Sequence, residues 1–158
     1  MYHAAVRFVA RRAFRQLTDG DLDTFMRAFA PDAVFCFEGS HALGGELRGR
    51  ITIRALAERQ RRLFPGIDVE PRTIVVAGWP WDTLLVTRFM VRAPLPDGST
   101  YRNEGMQIAR IRWAKVVEER LYEDTQRLAD ALEIIAARGN SEAVAPPLNS
   151  SASVLTNG

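Results

Sequence analysis

The spacing of apolar residues changes at Pro65-Gly66. Before this dipeptide, apolar residues recur every three to four positions, which is the pattern of helices that bury one face. After it they recur at every second position, which is the pattern of strands that bury one face of a sheet. Helices followed by a run of strands predict an α+β fold.

Three helices are predicted before the change, over residues 6–17, 22–29 and about 51–64. A short β-rich segment at 33–38 separates the second helix from the third. Four glycines within residues 39–49 predict a loop that needs backbone freedom.

Four strands are predicted after the change, over residues 69–77, 83–93, 99–113 and 115–123. Turn residues between them, such as Pro96-Asp97-Gly98, predict that neighbours in sequence pair antiparallel. Strands of ten or more residues twist and curl. A curled sheet closing over the helices forms a cone, which is hollow wherever opposing side chains fail to meet.

The chain has 158 residues, the length of one domain. A last helix is predicted from about residue 125 and ends at Gly139, so we place a single domain over residues 1–138. Residues 139–158 are rich in Ser, Pro, Ala and Asn and show no periodicity, which predicts a disordered tail.

Composition argues against several classes of protein. The longest apolar runs are too short to cross a bilayer, and arginines at positions 7, 11 and 12 interrupt the segment where a secretory signal would be apolar. Cys36 is the only cysteine, which agrees with a reducing compartment, so we predict a cytoplasmic location. The net charge is only +2 and the basic residues are scattered, which argues against a nucleic-acid partner.

Metal and cofactor sites have no support in the sequence. Two distant histidines and one cysteine offer no metal-ligand spacing. The glycines within residues 39–49 do not open a strand-turn-helix unit that would hold a phosphate. We therefore expect neither a metal nor a cofactor.

Four short segments resemble turns of a known family: DGD at 19–21, APDAVF at 30–35, GELRGR at 45–50 and DG at 97–98. Together with the order of elements they resemble the SnoaL-like branch of the nuclear-transport-factor-2-like superfamily, over about residues 3–138. The resemblance implies a cone with one apolar pocket, a small hydrophobic ligand and a homodimer, here through the arginine-rich outer face of the sheet. The superfamily includes ketosteroid isomerases, scytalone dehydratases and limonene epoxide hydrolases.

The residues of the ketosteroid isomerases do not carry over to this chain. Such an enzyme would have a tyrosine near Ala13, a carboxylate base near Phe37 and a protonated aspartate near Ala109. All three positions are apolar, so that mechanism lacks both its base and its oxyanion donors.

Alternation along the strand at 99–113 separates its two faces. Tyr101, Asn103 and Gln107 share one face, and an arginine-rich set on the other should meet water or a partner subunit. We predict that Tyr101 is a catalytic donor and that Asn103 and Gln107 orient the ligand, because buried amides need partners. A structural hydrogen-bond network, or a bulge that swaps the faces, is the alternative.

At the end of the strand at 115–123, alternation leaves two inward sets open, one with Tyr122 and Asp124 and the other with Glu119 and Glu123. We prefer the first set, because Asp124 at the mouth of the cone would have a raised pKa and act as general acid or base. Tyr122 would then contact the ligand. Asp124 also precedes the last helix, where a carboxylate caps free N–H groups, and the two roles are compatible.

Arg88 interrupts an apolar strand, which suggests an inward cation that orients a carbonyl or carboxylate. With Asp82 or Asp124 it is also the nearest candidate for the Asp-Arg-Asp set of the epoxide hydrolases. Pairing with an acidic residue on the outer face, Glu104 or Glu119, is the alternative.

His41 lies in the glycine-rich loop and is a second candidate acid or base, because its ring titrates near neutral pH. A surface histidine is the alternative. Phe37 and Trp81 are predicted to contact the ligand as part of the apolar wall.

These residues predict a cofactor-free enzyme that acts on a small apolar molecule by proton transfer, through isomerisation, cyclisation, dehydration or hydrolysis. The alternative is a non-catalytic ligand-binding or dimerisation module with the same cone, in which the polar groups are structural. The sequence does not separate the two.

Overall fold

The computed structural model of the chain describes residues 1–148. Its helices are α1 (Tyr2–Asp19), α2 (Leu22–Met26), α3 (Arg50–Leu63) and α4 (Thr125–Ala137), followed by a 3-10 helix (Ser141–Val144). Its strands are β1 (Phe29–Phe37), β2 (Gly45–Arg48), β3 (Asp68–Trp79), β4 (Asp82–Pro94), β5 (Thr100–Arg112) and β6 (Lys115–Glu123). The predicted α+β class is confirmed.

The boundary between α1 and α2 follows from two adjacent residues. Gly20 ends α1 with a φ of 80°, a left-handed conformation that costs glycine little. Asp21 then caps α2, since its side chain accepts a hydrogen bond from the N–H of Thr24. The prediction for α2 is too long, because Phe29 begins β1.

The six strands form one sheet in the order β2-β1-β6-β5-β4-β3. The four strands from β3 to β6 pair antiparallel with their neighbours in sequence, as predicted. β1 pairs with β6 in parallel, which brings the first strand beside the last. This contact places the inner face of β6 in the middle of the concave side of the sheet.

β2 was not predicted. Its four residues lie within the segment assigned to a loop, and they pair antiparallel with β1, where Leu47 lies opposite Phe35. Leu47 is buried. Four residues are too few to show alternation by themselves, so this strand depends on the edge that β1 offers.

The helices cover the concave face of the sheet. α1 packs on β3, α3 on β1 and α4 on β5. Along β5 the buried and exposed residues alternate as predicted: Tyr101 and Asn103 are buried, and Arg102 and Glu104 are exposed. The sheet therefore has an apolar inner face and a charged outer face.

The predicted tail begins with an ordered segment. Disorder was expected from residue 139, but Ser141–Val144 form the 3-10 helix, with Ala143 buried. Glu142 accepts two hydrogen bonds from Arg62 of α3, at 3.1 and 2.7 Å. The remainder of that prediction, residues 149–158, lies outside the described residues. Among the helices of residues 1–148, none has the length and apolar character needed to span a bilayer.

Candidate functional site

A cavity of about 510 Å3 lies between the helices and the inner face of the sheet. Val9 of α1 and Trp113, in the turn between β5 and β6, line it and are themselves exposed. The cavity therefore reaches the surface beside this turn. Most of its wall is apolar and comes from α1, α3 and the sheet, including Phe14, Phe35, Phe37, Leu56, Phe89 and Ala109.

Few polar side chains line the cavity. Tyr2 and Gln60 come from the helices, and three come from the sheet: Gln107 on β5, and Glu119 and Glu123 on β6. No arginine, lysine or histidine of the described residues is part of this wall. The polar side-chain groups of the cavity are thus carboxyls, amides, one phenol and the indole N–H of Trp113.

Glu119 lies in the middle of β6, between Ala109 of β5 and Phe35 of β1. Its exposed fraction is 8%. Within residues 1–148 its carboxyl has no hydrogen-bond or ion-pair partner. Burial raises the pKa of Glu119 to about 7, so the group exchanges its proton near neutral pH.

Glu123 lies on the same face of β6 as Glu119, because Glu119, Leu121 and Glu123 follow one another at every second position. Its Oε2 accepts hydrogen bonds from Tyr101 Oη at 2.9 Å and from Asn103 Nδ2 at 3.3 Å. Loss of water around the carboxyl raises the pKa of Glu123 to about 7, although both hydrogen bonds act in the opposite direction. Glu123 is therefore held in place, whereas Glu119 is not.

Gln107 lies between the two carboxyls. It is opposite Leu121 in the β5–β6 pair, so Glu119 and Glu123 are its two diagonal neighbours. The Cα atoms of Glu119 and Glu123 are about 13 Å apart, at roughly 3.3 Å per residue along a strand. The wall thus carries a row of three hydrogen-bonding groups about as long as a small ligand.

Tyr101 and Asn103 point inward as predicted, but neither lines the cavity. Asn103 Nδ2 donates to Tyr101 Oη at 2.8 Å and to the backbone oxygen of Asp124 at 2.9 Å, and its Oδ1 accepts from the N–H of Glu104. Burial, and next the charge of Glu123, raise the pKa of Tyr101. The pair lies behind Glu123 and positions it, as in the structural network that was the alternative.

Asp124 and Tyr122 are not in the cavity. The side chain of Asp124 accepts from the N–H groups of Gln126 at 3.1 Å and Arg127 at 3.2 Å, which caps α4. Tyr122 is 40% exposed on the outer face. The inward set of β6 is therefore the other one, with Glu119 and Glu123, because the strand ends at Glu123 and the cap turns Asp124 away.

Arg88 also lies on the outer face, where it pairs with Glu104 of β5. The prediction that Arg88 points into the cavity is therefore wrong, and the alternative, a cross-strand pair with Glu104, is what the structure has. Alternation along β4 explains this, since Thr87 and Phe89 point inward and the residue between them must point outward. Trp81 is 56% exposed and stacks on Trp79 with ring centroids 6.0 Å apart, so it does not form the wall.

His41 and Phe37 lie together. Phe37 lines the cavity, and the ring of His41 packs edge-on against it at 4.8 Å. The backbone engages both ring nitrogens of His41, with Glu38 O at 3.1 Å and the N–H of Leu43 at 3.3 Å. Burial lowers the pKa of His41. The ring supports the wall from behind and is not among the lining residues.

The alternation along β6 was interpreted in favour of Tyr122 and Asp124, whereas the structure brings the carboxyls of Glu119 and Glu123 into the cavity. One signal could have found them. The set with Val117, Glu119, Leu121 and Glu123 contains two aliphatic residues, whereas its alternative contains none. The more apolar of two alternating faces is the one that a sheet buries.

Metal ligation has no support in the described part of the chain. Within residues 1–148 there is no group of three or more His, Cys, Asp or Glu side chains that could hold a metal ion.

The profile of the SnoaL-like domain matches residues 10–119. Comparison with curated protein sequences gives no significant match. Solved structures are similar in fold. IdmH from Streptomyces antibioticus, a candidate polyketide cyclase, is 22% identical with a TM-score of 0.66, over 81% of this chain and 95% of IdmH.

Two further structures show the same likeness. TerC, crystallised with polyporic acid, is 16% identical with a TM-score of 0.69, over 81% of this chain and 97% of TerC. An NTF2-like protein from Burkholderia xenovorans LB400 is 23% identical with a TM-score of 0.58, over 80% of this chain and 93% of that protein. At these identities the likeness concerns the fold, which is that of the NTF2-like cones.

Proposed function

Because this chain belongs to the family of SnoaL-like domains, we propose that its cavity binds a small apolar molecule and that Glu119 transfers a proton to or from it. The family supports binding of a small molecule, and relatives in fold include a candidate polyketide cyclase and a protein crystallised with polyporic acid. The reaction class is cofactor-free isomerisation, cyclisation, dehydration or hydrolysis.

The carboxyl of Glu119, which has no partner among the residues that the structure describes, carries this proposal. A buried carboxyl without a hydrogen-bond partner is costly to the fold, so its presence in an apolar wall needs a reason. A group whose pKa is about 7 is half protonated at neutral pH and can act either as acid or as base. Gln107, diagonally opposite, would hold a carbonyl or hydroxyl of the ligand near that carboxyl.

Glu123 supports the same chemistry in a second way. Its Oε2 is occupied by Tyr101 and Asn103, and its place in the cavity wall leaves the carboxyl within reach of a bound molecule. A ligand lying along the row from Glu119 to Glu123 would meet one free and one fixed carboxyl. Two such groups suffice to remove a proton at one position and return it at another.

The proposal is tested with 5-nitrobenzisoxazole, a neutral apolar molecule whose N–O bond breaks when a base removes its C3 proton. We expect the protein to accelerate this ring opening, with a rate that rises through about pH 7, and expect Glu119→Gln to lose at least 90% of it. Glu133→Gln, on the exposed face of α4, is the matched control and should keep the full rate.

Binding is measured separately with Nile red, a neutral dye that fluoresces in apolar surroundings. If the dye binds but wild type and Glu119→Gln open the ring at the same rate, the proton-transfer part is overturned and the non-catalytic binding module remains. If no saturable binding is seen, the cavity is not a ligand site.

We also propose that two copies associate through the outer face of the sheet. Leu84, Met106 and Ile108 are exposed there among arginine–carboxylate pairs such as Arg88–Glu104 and Arg110–Asp82. Apolar side chains surrounded by charges are typical of the centre and rim of an interface. Light scattering at micromolar concentration should give twice the mass of the chain, and Ile108→Arg should give the monomer. A monomeric wild type would contradict this part.

A further inference from the structure

The charge of the cavity differs from that of the rest of the chain. All 21 basic residues of the sequence lie within the described residues 1–148, and none of them is among the residues that line the cavity. Two carboxyls line it instead, those of Glu119 and Glu123. In this chain, whose net charge is positive, the ligand cavity is acidic.

This arrangement disfavours one class of ligand. A carboxylate bound in the cavity would lie among mostly apolar side chains and two acidic groups, and no arginine, lysine or histidine of residues 1–148 lines the cavity beside it. Charges interact strongly where water is excluded, and an unpaired buried charge is among the most costly features of a protein interior. Anionic ligands should therefore be excluded.

The same arrangement favours the opposite class. The carboxyl of Glu119 is more than nine-tenths buried, faces the cavity and has no partner within residues 1–148. A cationic group would supply the ion pair that it lacks. Glu123 has less need of one, since its Oε2 already accepts two hydrogen bonds.

We propose that the cavity selects an apolar molecule that carries a protonated amine, with the ammonium group against Glu119. This inference rests on the proposed function, because it requires that the cavity bind a ligand. Ala109 opposite Glu119 leaves room for the ammonium group, and the amide oxygen of Gln107, a diagonal neighbour, can accept a second of its N–H bonds. The apolar body of the ligand lies against the aromatic wall.

Binding of such a ligand is coupled to the proton of Glu119. The other titratable groups in the cavity wall are Glu123 and Tyr2, and the remaining polar side chains there are Gln60, Gln107 and the indole of Trp113. Since an ammonium favours the ionised carboxyl, its affinity rises with pH until Glu119 is ionised. With a pKa of about 7, the rise from pH 5 to pH 8 is roughly 100-fold.

Three probes with one apolar cage separate the possibilities: 1-adamantylamine, 1-adamantanol and 1-adamantanecarboxylate. Titration calorimetry of the full chain at pH 8 should rank the amine at least tenfold tighter than the alcohol, and the carboxylate at least tenfold weaker. At pH 5 the preference for the amine should disappear, because Glu119 is then protonated.

Glu119→Gln keeps the shape of the side chain and removes its charge. We expect this variant to lose the preference for the amine over the alcohol, whereas Glu133→Gln keeps it. A measurement that needs no variant is the release of protons on binding the amine at pH 6, obtained by calorimetry in two buffers of different ionisation enthalpy.

The outcomes distinguish this inference from the proposed function. Equal binding of amine and alcohol by the wild type at pH 8, or binding of the carboxylate as tight as that of the amine, overturns the inference and leaves the proposed function standing. Absence of binding by all three probes and by Nile red overturns the proposed function itself. Release of no protons with the amine at pH 6 contradicts contact with Glu119.

Discussion

Ala109 lies directly opposite Glu119 in the β5–β6 pair, and its methyl group leaves the space beside the carboxyl open. On the other side of β6, Glu119 is level with Phe35 of β1. The carboxyl is thus set between a small and a large apolar neighbour, with the cavity in front of it. The size of residue 109 therefore controls access to Glu119.

Ala109→Leu should block the cavity beside Glu119. The added carbons extend into empty volume, so we expect thermal stability to change by only a few degrees while affinity for Nile red falls at least tenfold. Ala137→Leu on the exposed end of α4 is the control, with unchanged binding. Undiminished affinity in a folded Ala109→Leu protein would show that ligands bind elsewhere.

Glu119→Gln should stabilise the protein in a pH-dependent way. The pKa of Glu119 is raised from 4.5 to about 7 in the folded state, so between these values the folded protein keeps a proton that the unfolded chain releases. Wild-type stability attributable to this group therefore falls as pH rises from about 4.5 to 7, by roughly 3 kcal/mol for such a shift.

Urea unfolding at pH 5 and pH 8 measures this effect. We expect Glu119→Gln to resemble the wild type at pH 5 and to exceed its free energy of unfolding at pH 8, whereas Glu133→Gln should show no difference that depends on pH. An equal effect of Glu119→Gln at both values would mean that the carboxyl is not held in an apolar environment.

Tyr101→Phe should remove one of the two hydrogen bonds that hold the carboxyl of Glu123. The hydroxyl of Tyr101 donates to Oε2 of Glu123, and this bond lowers the carboxyl pKa against the effect of burial. Without it we expect the pKa of Glu123 to rise further, and the free energy of unfolding to fall by about 1 kcal/mol. Carbon-13 NMR of the side-chain carboxyls follows the titration. Tyr122→Phe, on the outer face, should leave it unchanged, and a lowered pKa in Tyr101→Phe would refute the arrangement.

Asp124 provides a test of capping against catalysis. Asp124→Ala removes the acceptor for the N–H groups of Gln126 and Arg127 and should cost about 1 kcal/mol of stability. Asp124→Asn keeps a capping oxygen and should lose much less. Neither change should affect ring opening of 5-nitrobenzisoxazole. If Asp124→Asn stayed folded and lost that activity, the general-acid role predicted from the sequence would be restored.

Strands β5 and β6 differ in how well the alternation of residues predicts which face is buried. Alternation places Tyr101, Asn103 and Gln107 on one face of β5, and that prediction holds because the strand is long and its outer face is rich in arginine. In β6 the same method leaves two faces open, because both contain charges. The pairing of β6 with β1 on one side and β5 on the other decides which face is covered.

The sequence by itself determined the class of fold, the helices, the four consecutive strands and the turns, since these depend on periodicity and on local backbone preference. The tertiary structure alone decided that Glu119 is buried and has no partner within residues 1–148, that Asp124 caps α4, and that Arg88 pairs with Glu104. The reason is physical: the pKa of a carboxyl and the partners of a charge depend on groups that are distant in sequence and meet only after the sheet has formed.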